Sequence, residues 1–231
     1  MTTEHAWMLE LPVPKHDRTT ETAFAAALRS RDARLLPADV PRWHFLEWLV
    51  GQGWLLHGSN HPDITRFEPR TPVDLSPDEF SKRTAVFAAS DGVWAMMYAL
   101  TDRARVRRIL NMALRVRQEN RWSEQRYFLS LAPHDHAVTE GIDLLRHGSV
   151  YVLSSAGFER MPPYEWPALG EVMEPHWASP SAVAPLMRVD VSPTDFLLPV
   201  RMHDAGRVDR LCQSDPWGFP WLESASGRSG N

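Results

Sequence analysis

The sequence predicts an α+β domain. Apolar residues recur with period two in some stretches and with period 3.6 in others, so strands and helices coexist. They intermix without the regular strand–helix alternation of a doubly wound sheet. No internal repeat divides the chain. A length of 231 residues suits one large domain. Residues 1–19 read as a flexible or loosely docked arm, 20–222 as a single domain with its core at about 40–198, and the Gly/Ser-rich stretch 223–231 as a disordered tail.

Residues 20–30 are Ala-rich, with Phe24 and Leu28 four apart, and predict a helix capped by Thr19 or Thr20. Asp39-Val40-Pro41 reads as a second helix start. Phe45, Leu46, Leu49 and Val50 then form one apolar face, and Gly51 and Gly53 end it. The strand Trp54-Leu55-Leu56-His57 follows at once and runs into a Gly58-Ser59 turn. A Pro-rich loop reaches to Pro77, and a β-prone run spans 84–89. Asp91 caps a third helix that carries Trp94, Met97 and Tyr98, with Thr101 continuing it.

Residues 103–117 are basic. Their second half, 112–117, alternates as a strand with charged outer residues, and a phosphate or nucleic-acid contact is the other reading. Residues 126–131 and 149–154 read as strands, with a short helix over 138–146 between them. The stretch 157–181 reads as loop, 186–191 as a strand, and 208–211 as part of a short helix. Trp217, Phe219 and Trp221 are expected to cap the core.

Composition removes several classes. The net charge of −4 argues against a non-specific nucleic-acid or anionic-membrane binder, although local contacts to nucleic acid stay open. The single cysteine, Cys212, excludes a disulfide scaffold and a cysteine-rich zinc site and fits a reducing cytosol. The first 20 residues lack the apolar centre of a signal peptide, and no run approaches the roughly 20 apolar residues of a membrane span. A cytoplasmic protein with no membrane partner is expected. The phosphate loops GxxxxGK[ST] and GxGxxG are absent, as is the GxSxG elbow. His134-Asp135-His136 has metal-ligand chemistry but follows Pro133, so it reads as loop and cap; no metal is expected.

One ordered set of motifs goes further. Leu55-Leu56-His57-Gly58-Ser59-Asn60 comes first, then Phe67-Glu68-Pro69-Arg70, then Ala85-Val86-Phe87-Ala88-Ala89-Ser90 leading into the helix with Tyr98. Gly148-Ser149-Val150-Tyr151-Val152-Leu153 with Phe158, Trp177-Ala178-Ser179, Val183-Ala184-Pro185-Leu186 and Asp195-Phe196 follow. This order resembles the ADP-ribosyltransferase-like superfamily, in a bacterial branch carrying a His-Gly-Ser motif, over residues 40–198. The resemblance implies a split-sheet α+β fold with an N-terminal helical addition. It implies NAD as substrate, bound between two small sheets.

In that family the histidine, here His57, hydrogen-bonds the adenosine-side ribose. The backbone of Gly58 holds the nicotinamide amide, with Ser59 and Asn60 beside it. Phe87 and Tyr98 are the candidates to stack on the nicotinamide, ahead of Trp94. A cationic ring favours an aromatic face. Arg70 is the candidate cation on the cofactor side. Departure of nicotinamide leaves an oxocarbenium-like centre, which a carboxylate stabilises. Glu174 is the candidate; if the register runs through Trp177, His176 takes the family's glutamate position. ADP-ribose transfer to an unknown acceptor, or NAD hydrolysis, is the implied activity. An inactive nucleotide- or protein-binding module and an RNA 2′-phosphotransferase-like enzyme, using Arg70 and the 103–117 stretch, are the alternatives.

Overall fold

Two antiparallel-rich sheets enclose one almost entirely buried helix. The structure is a computed structural model and describes residues 5–72 and 75–222. The expected tail at 223–231 and the first four residues of the expected arm lie outside the described residues. In chain order the helices are α1 (Arg18–Ser30), α2 (Arg42–Gly51), α3 (Gly92–Leu100) and α4 (Ala205–Ser214). The strands are β1 (Leu55–Ser59), β2 (Val86–Ala89), β3 (Val106–Gln118), β4 (Arg121–Trp122), β5 (Arg126–Pro133), β6 (Gly148–Leu153), β7 (Glu159–Arg160), β8 (Tyr164–Trp166), β9 (Gly170–Met173), β10 (His176–Ser179), β11 (Met187–Val191) and β12 (Arg201–Met202). The first sheet runs β11-β6-β1-β2-β10-β7. The second runs β12-β5-β3-β9-β8, with β4 paired to β3.

The helix boundaries show where local signals were outcompeted. α1 starts two residues early because Asp17, not a threonine, is its cap: the Asp17 carboxylate accepts from Thr20 N at 2.8 Å. α2 follows Pro41 with no local side-chain cap. Its Arg42 N–H instead donates to Asp195 Oδ1 at 3.0 Å, 153 residues away in sequence. α3 is capped by Asp91 as expected, with Trp94 N donating to Oδ1 at 2.7 Å. Thr101 ends this helix rather than continuing it, and its hydroxyl donates to Met97 O at 2.6 Å.

Two expectations for loops and helices are corrected. Residues 138–146 hold only a 3-10 turn, Gly141–Leu144. Gly141 weakens a helix there, and Ile142 faces solvent, so no apolar stripe drives one. The chain is held by backbone bonds instead, Asp102 N to Leu144 O at 2.9 Å and a bridge between Thr101 and Leu145. The stretch 157–181 is not loop: it supplies β7, β8, β9 and β10, each of two to four residues. Strands this short show no readable period; their partners define them.

Every residue of α3 except Tyr98 is buried. One side lies on the first sheet, against Leu56, Val150 and Val152; the other meets Ala113, Leu129 and Leu131 of the second. α1 and α2 close this core through Phe24, Phe45 and Leu49. The outer face of the second sheet packs Leu110, Met112, Leu114 and Phe128 beneath α4 and the C-terminal aromatics Trp217, Phe219 and Trp221. The chain before α1 joins that face: Leu9 bridges Tyr127, and Trp7 meets Phe128 edge-on at 5.6 Å.

Two acids share the N-terminus of α3. Besides Asp91, Glu47 of α2 accepts from Gly92 N at 2.7 Å and Val93 N at 3.3 Å. Tyr127 donates its hydroxyl to the second oxygen of Asp91 at 2.8 Å. Burial, and then the charge of Asp91, push the Glu47 carboxyl up to about 8; burial also raises Asp91. A raised acid holds a proton in the folded state that the unfolded chain has lost. Its contribution to stability therefore falls as pH rises from about 4.5 to about 8. Glu47→Gln keeps the accepting oxygen and removes the proton. The variant is expected to match the wild type near pH 4 and then gain on it, by up to about 1.4 kcal/mol per pH unit. Urea unfolding of both proteins between pH 4 and pH 8 measures that difference; parallel curves refute it.

Candidate functional site

β1 and β2 separate beside His57. They pair through Leu56 and Ala89 alone, whereas β1 pairs with β6 along its whole length, from Leu55–Leu153 to Ser59–Ser149. The strand thus continues through Gly58 and Ser59 instead of turning there. Across the opening His57 Nδ1 donates to Phe87 O at 2.7 Å, so a side chain replaces ladder hydrogen bonds. The acceptor is a carbonyl, which places the proton on Nδ1 and leaves Nε2 as an acceptor in the neutral ring. The His57 ring lies 4.4 Å from Phe67. Burial holds its pKa below the usual histidine value; the Phe87 hydrogen bond opposes this and the charge of Arg70 adds to it.

A cavity of about 480 Å³ opens at this split. His57, Gly58, Phe87 and His176 form the wall from the first sheet, Trp94 and Tyr98 of α3 the floor, and Arg107, Arg108, Ile109 and Asn111 of β3 the opposite wall. Trp94 Nε1 and Tyr98 OH both donate to Asn111 Oδ1, at 2.6 and 3.1 Å, which ties floor to wall. No carboxylate lines the cavity among the described residues, whereas Arg103, Arg107 and Arg108 do. The Arg103 guanidinium lies 5.8 Å from the Tyr98 ring centre. Arg108 is anchored to Asp209 of α4 at 2.6 Å. Arg107 is exposed and forms no ion pair with a described residue.

Strict alternation would send Arg107 and Arg108 to opposite faces of β3. A break in the β3–β5 register between Val106 and Arg108 lets both reach the cavity. That irregularity is invisible in the sequence, where these arginines read as a charged outer face, with a phosphate or nucleic-acid contact as the other reading. Asn111 carried the one usable signal, a polar residue in an otherwise apolar stretch.

The expected site residues divide. His57, Gly58, Phe87 and Tyr98 meet at the cavity. Ser59 and Asn60 do not line it. Ser59 Oγ accepts from His61 N at 3.1 Å. Asn60 donates to Ala99 O and accepts from Arg103 N, which ties the end of β1 to the end of α3. Arg70 is exposed and pairs with Ala85 through the backbone. Gly58 also has a packing role: a Cβ there would lie 1.9 Å from Ala95 O and 2.7 Å from Ala99 N.

Glu174 lies before β10, on a second cavity of about 140 Å³ that shares Trp94, Tyr98, Asn111 and His176 with the first. Tyr164 donates to Glu174 Oε1 at 2.6 Å. Burial and the charge of Glu174 raise the Tyr164 pKa, so the phenol keeps its proton and remains a donor. His176 opens β10 opposite Ala89 and packs against Phe80, Phe87 and Trp94.

No family model, curated protein or solved structure matches this chain. His134, Asp135 and His136 lie exposed after β5, where Asp135 Oδ1 accepts from Ala137 N at 2.9 Å. Among the described residues no cluster of three or more His, Cys, Asp or Glu side chains could hold a metal ion. No described helix is long and apolar enough to cross a membrane.

Proposed function

We propose that the cavity binds NAD and that the chain has an ADP-ribosyltransferase-like fold. The observation that carries this reading is the arginine-lined cavity, free of acids among the described residues, at the point where His57 bridges β1 and β2. A dinucleotide has aromatic rings and a pyrophosphate. The cavity offers Trp94, Tyr98 and Phe87 to the first and Arg103, Arg107 and Arg108 to the second. The neutral His57 Nε2 accepts from a ribose hydroxyl. The chemistry that follows is cleavage of the bond between nicotinamide and ribose, the electron pair leaving with nicotinamide and an external nucleophile or water bonding to the ribose carbon. His176 on this cavity and Glu174 on the adjoining one are the groups assigned to stabilise that centre or take the nucleophile's proton.

A second reading has its own support. Three arginines and, among the described residues, no carboxylate on the cavity also suit a phosphate passed from an RNA 2′ position to an acceptor hydroxyl, as in the phosphotransferase branch of that superfamily. Calorimetry with NAD, together with nicotinamide release from labelled NAD, tests the first reading, and loss of the 2′-phosphate from a phosphorylated RNA tests the second. NAD binding with release supports the transferase; binding without release supports an inactive module; no binding overturns the NAD reading. Arg107→Ala is expected to weaken NAD about tenfold, the loss of one charge-assisted hydrogen bond, with a shallower salt dependence. An unchanged Kd would remove Arg107 from the site.

A further inference from the structure

The two cavities have opposite electrostatic character. The first is lined by arginines and no acid; the second by Glu174 and no Lys or Arg, among the described residues. The second is also apolar and aromatic. Trp166 and Phe219 meet at 5.9 Å and Phe219 and Trp221 at 5.6 Å, both edge-on, with Met112 and Leu110 completing the wall. Its volume of about 140 Å³ is that of a cavity filled by a single benzene-sized ring, about 150 Å³. Aromatic walls with one carboxylate favour a cation that has an apolar body.

We propose that the second cavity is a subsite for a single-ring aromatic cation of the pyridinium type, joined to an anionic body in the first cavity. Where that body is NAD, an orientation that rests on the proposed function, the nicotinamide lies at Glu174 rather than at Gly58. Trp94 and His176, which face both cavities, stand at the junction. The C-terminal aromatics then form a wall of the site as well as a cover for the second sheet.

The test is a titration of nitrogen-labelled protein, observed at the indole N–H signals, with the N-methylnicotinamide cation and with neutral nicotinamide. The Trp94, Trp166 and Trp221 signals are expected to shift saturably while those of Trp48 and Trp122 stay in place. The cation is expected to bind about tenfold tighter than the neutral amide. Glu174→Gln, which still accepts from Tyr164, is expected to erase most of that preference with an unchanged urea midpoint. Saturating inorganic pyrophosphate should not displace the cation. The proposal is overturned by no shift at the three indoles, by equal affinities, by a preference that survives Glu174→Gln, or by displacement by pyrophosphate. Indole shifts without calorimetric NAD binding would sink the dinucleotide reading and support the subsite.

Discussion

Replacing His57 with asparagine is expected to weaken nucleotide binding roughly tenfold to a hundredfold while the fold stays intact. The asparagine amide nitrogen falls near the position of Nδ1 and can still donate to Phe87 O, so the bridge across the opened strands survives. The group lost is Nε2, the acceptor left by that tautomer. Removal of one buried acceptor that meets a ligand hydroxyl costs about 1–3 kcal/mol, or roughly tenfold to a hundredfold in affinity. His57→Ala is the harsher change. It also removes the hydrogen bond to Phe87 O and the contact with Phe67 at 4.4 Å, so stability falls along with affinity. Calorimetry and thermal melting of both variants distinguish these losses. An asparagine variant that binds NAD like the wild type would show that His57 is only a structural bridge.

Gly58→Ala is expected to destabilise the protein by about 3 kcal/mol or more, lowering the melting temperature by roughly 10 °C. The added Cβ would meet backbone, Ala95 O at 1.9 Å and Ala99 N at 2.7 Å, and backbone inside a buried helix cannot swing aside. α3 would have to lift from the first sheet. Gly148 faces the same helix on β6, where a Cβ would lie 1.8 Å from Ala99 O. Two glycines on paired strands thus let α3 seat on the sheet. Because α3 carries Trp94 and Tyr98, the lifted helix should also weaken ligand binding. Thermal melting and hydrogen exchange of α3 amides test this. A melting temperature within a few degrees of the wild type would mean the close approach is not rigid.

Gly58 shows how far local reading reached. Its place after a strand and before small polar residues marked a site, and it does line the cavity. The tighter constraint, the helix backbone pressed against it, comes from residues about 40 positions downstream. His57, Phe87 and Tyr98 were legible for the same reason: each belongs to an element with a local signature, a short apolar strand or a capped helix. Arg103, Arg107 and Arg108 were legible only as members of the basic 103–117 stretch with its alternative phosphate contact, because the register break in β3 sets the direction of Arg107 and Arg108 and Arg103 precedes that strand. Glu174 and His176 were visible as residues. Their placement, Glu174 on the second cavity alone and His176 on both, depends on four short strands that carry no period.

By itself the sequence determined the α+β class, the Asp91 cap, the buried residues Phe24 of α1 and Phe45, Leu46 and Leu49 of α2, and the strand bearing His57. Each follows from side-chain periodicity or capping within about ten residues. Only the tertiary structure decided the Asp195 cap on α2, the Gly58 contact with α3, the opening between β1 and β2, and the sorting of arginines and Glu174 into adjoining cavities. These features join segments 33 to 153 residues apart. Nothing local in the chain encodes them, because their energy lies in contacts that form only when both sheets close on α3.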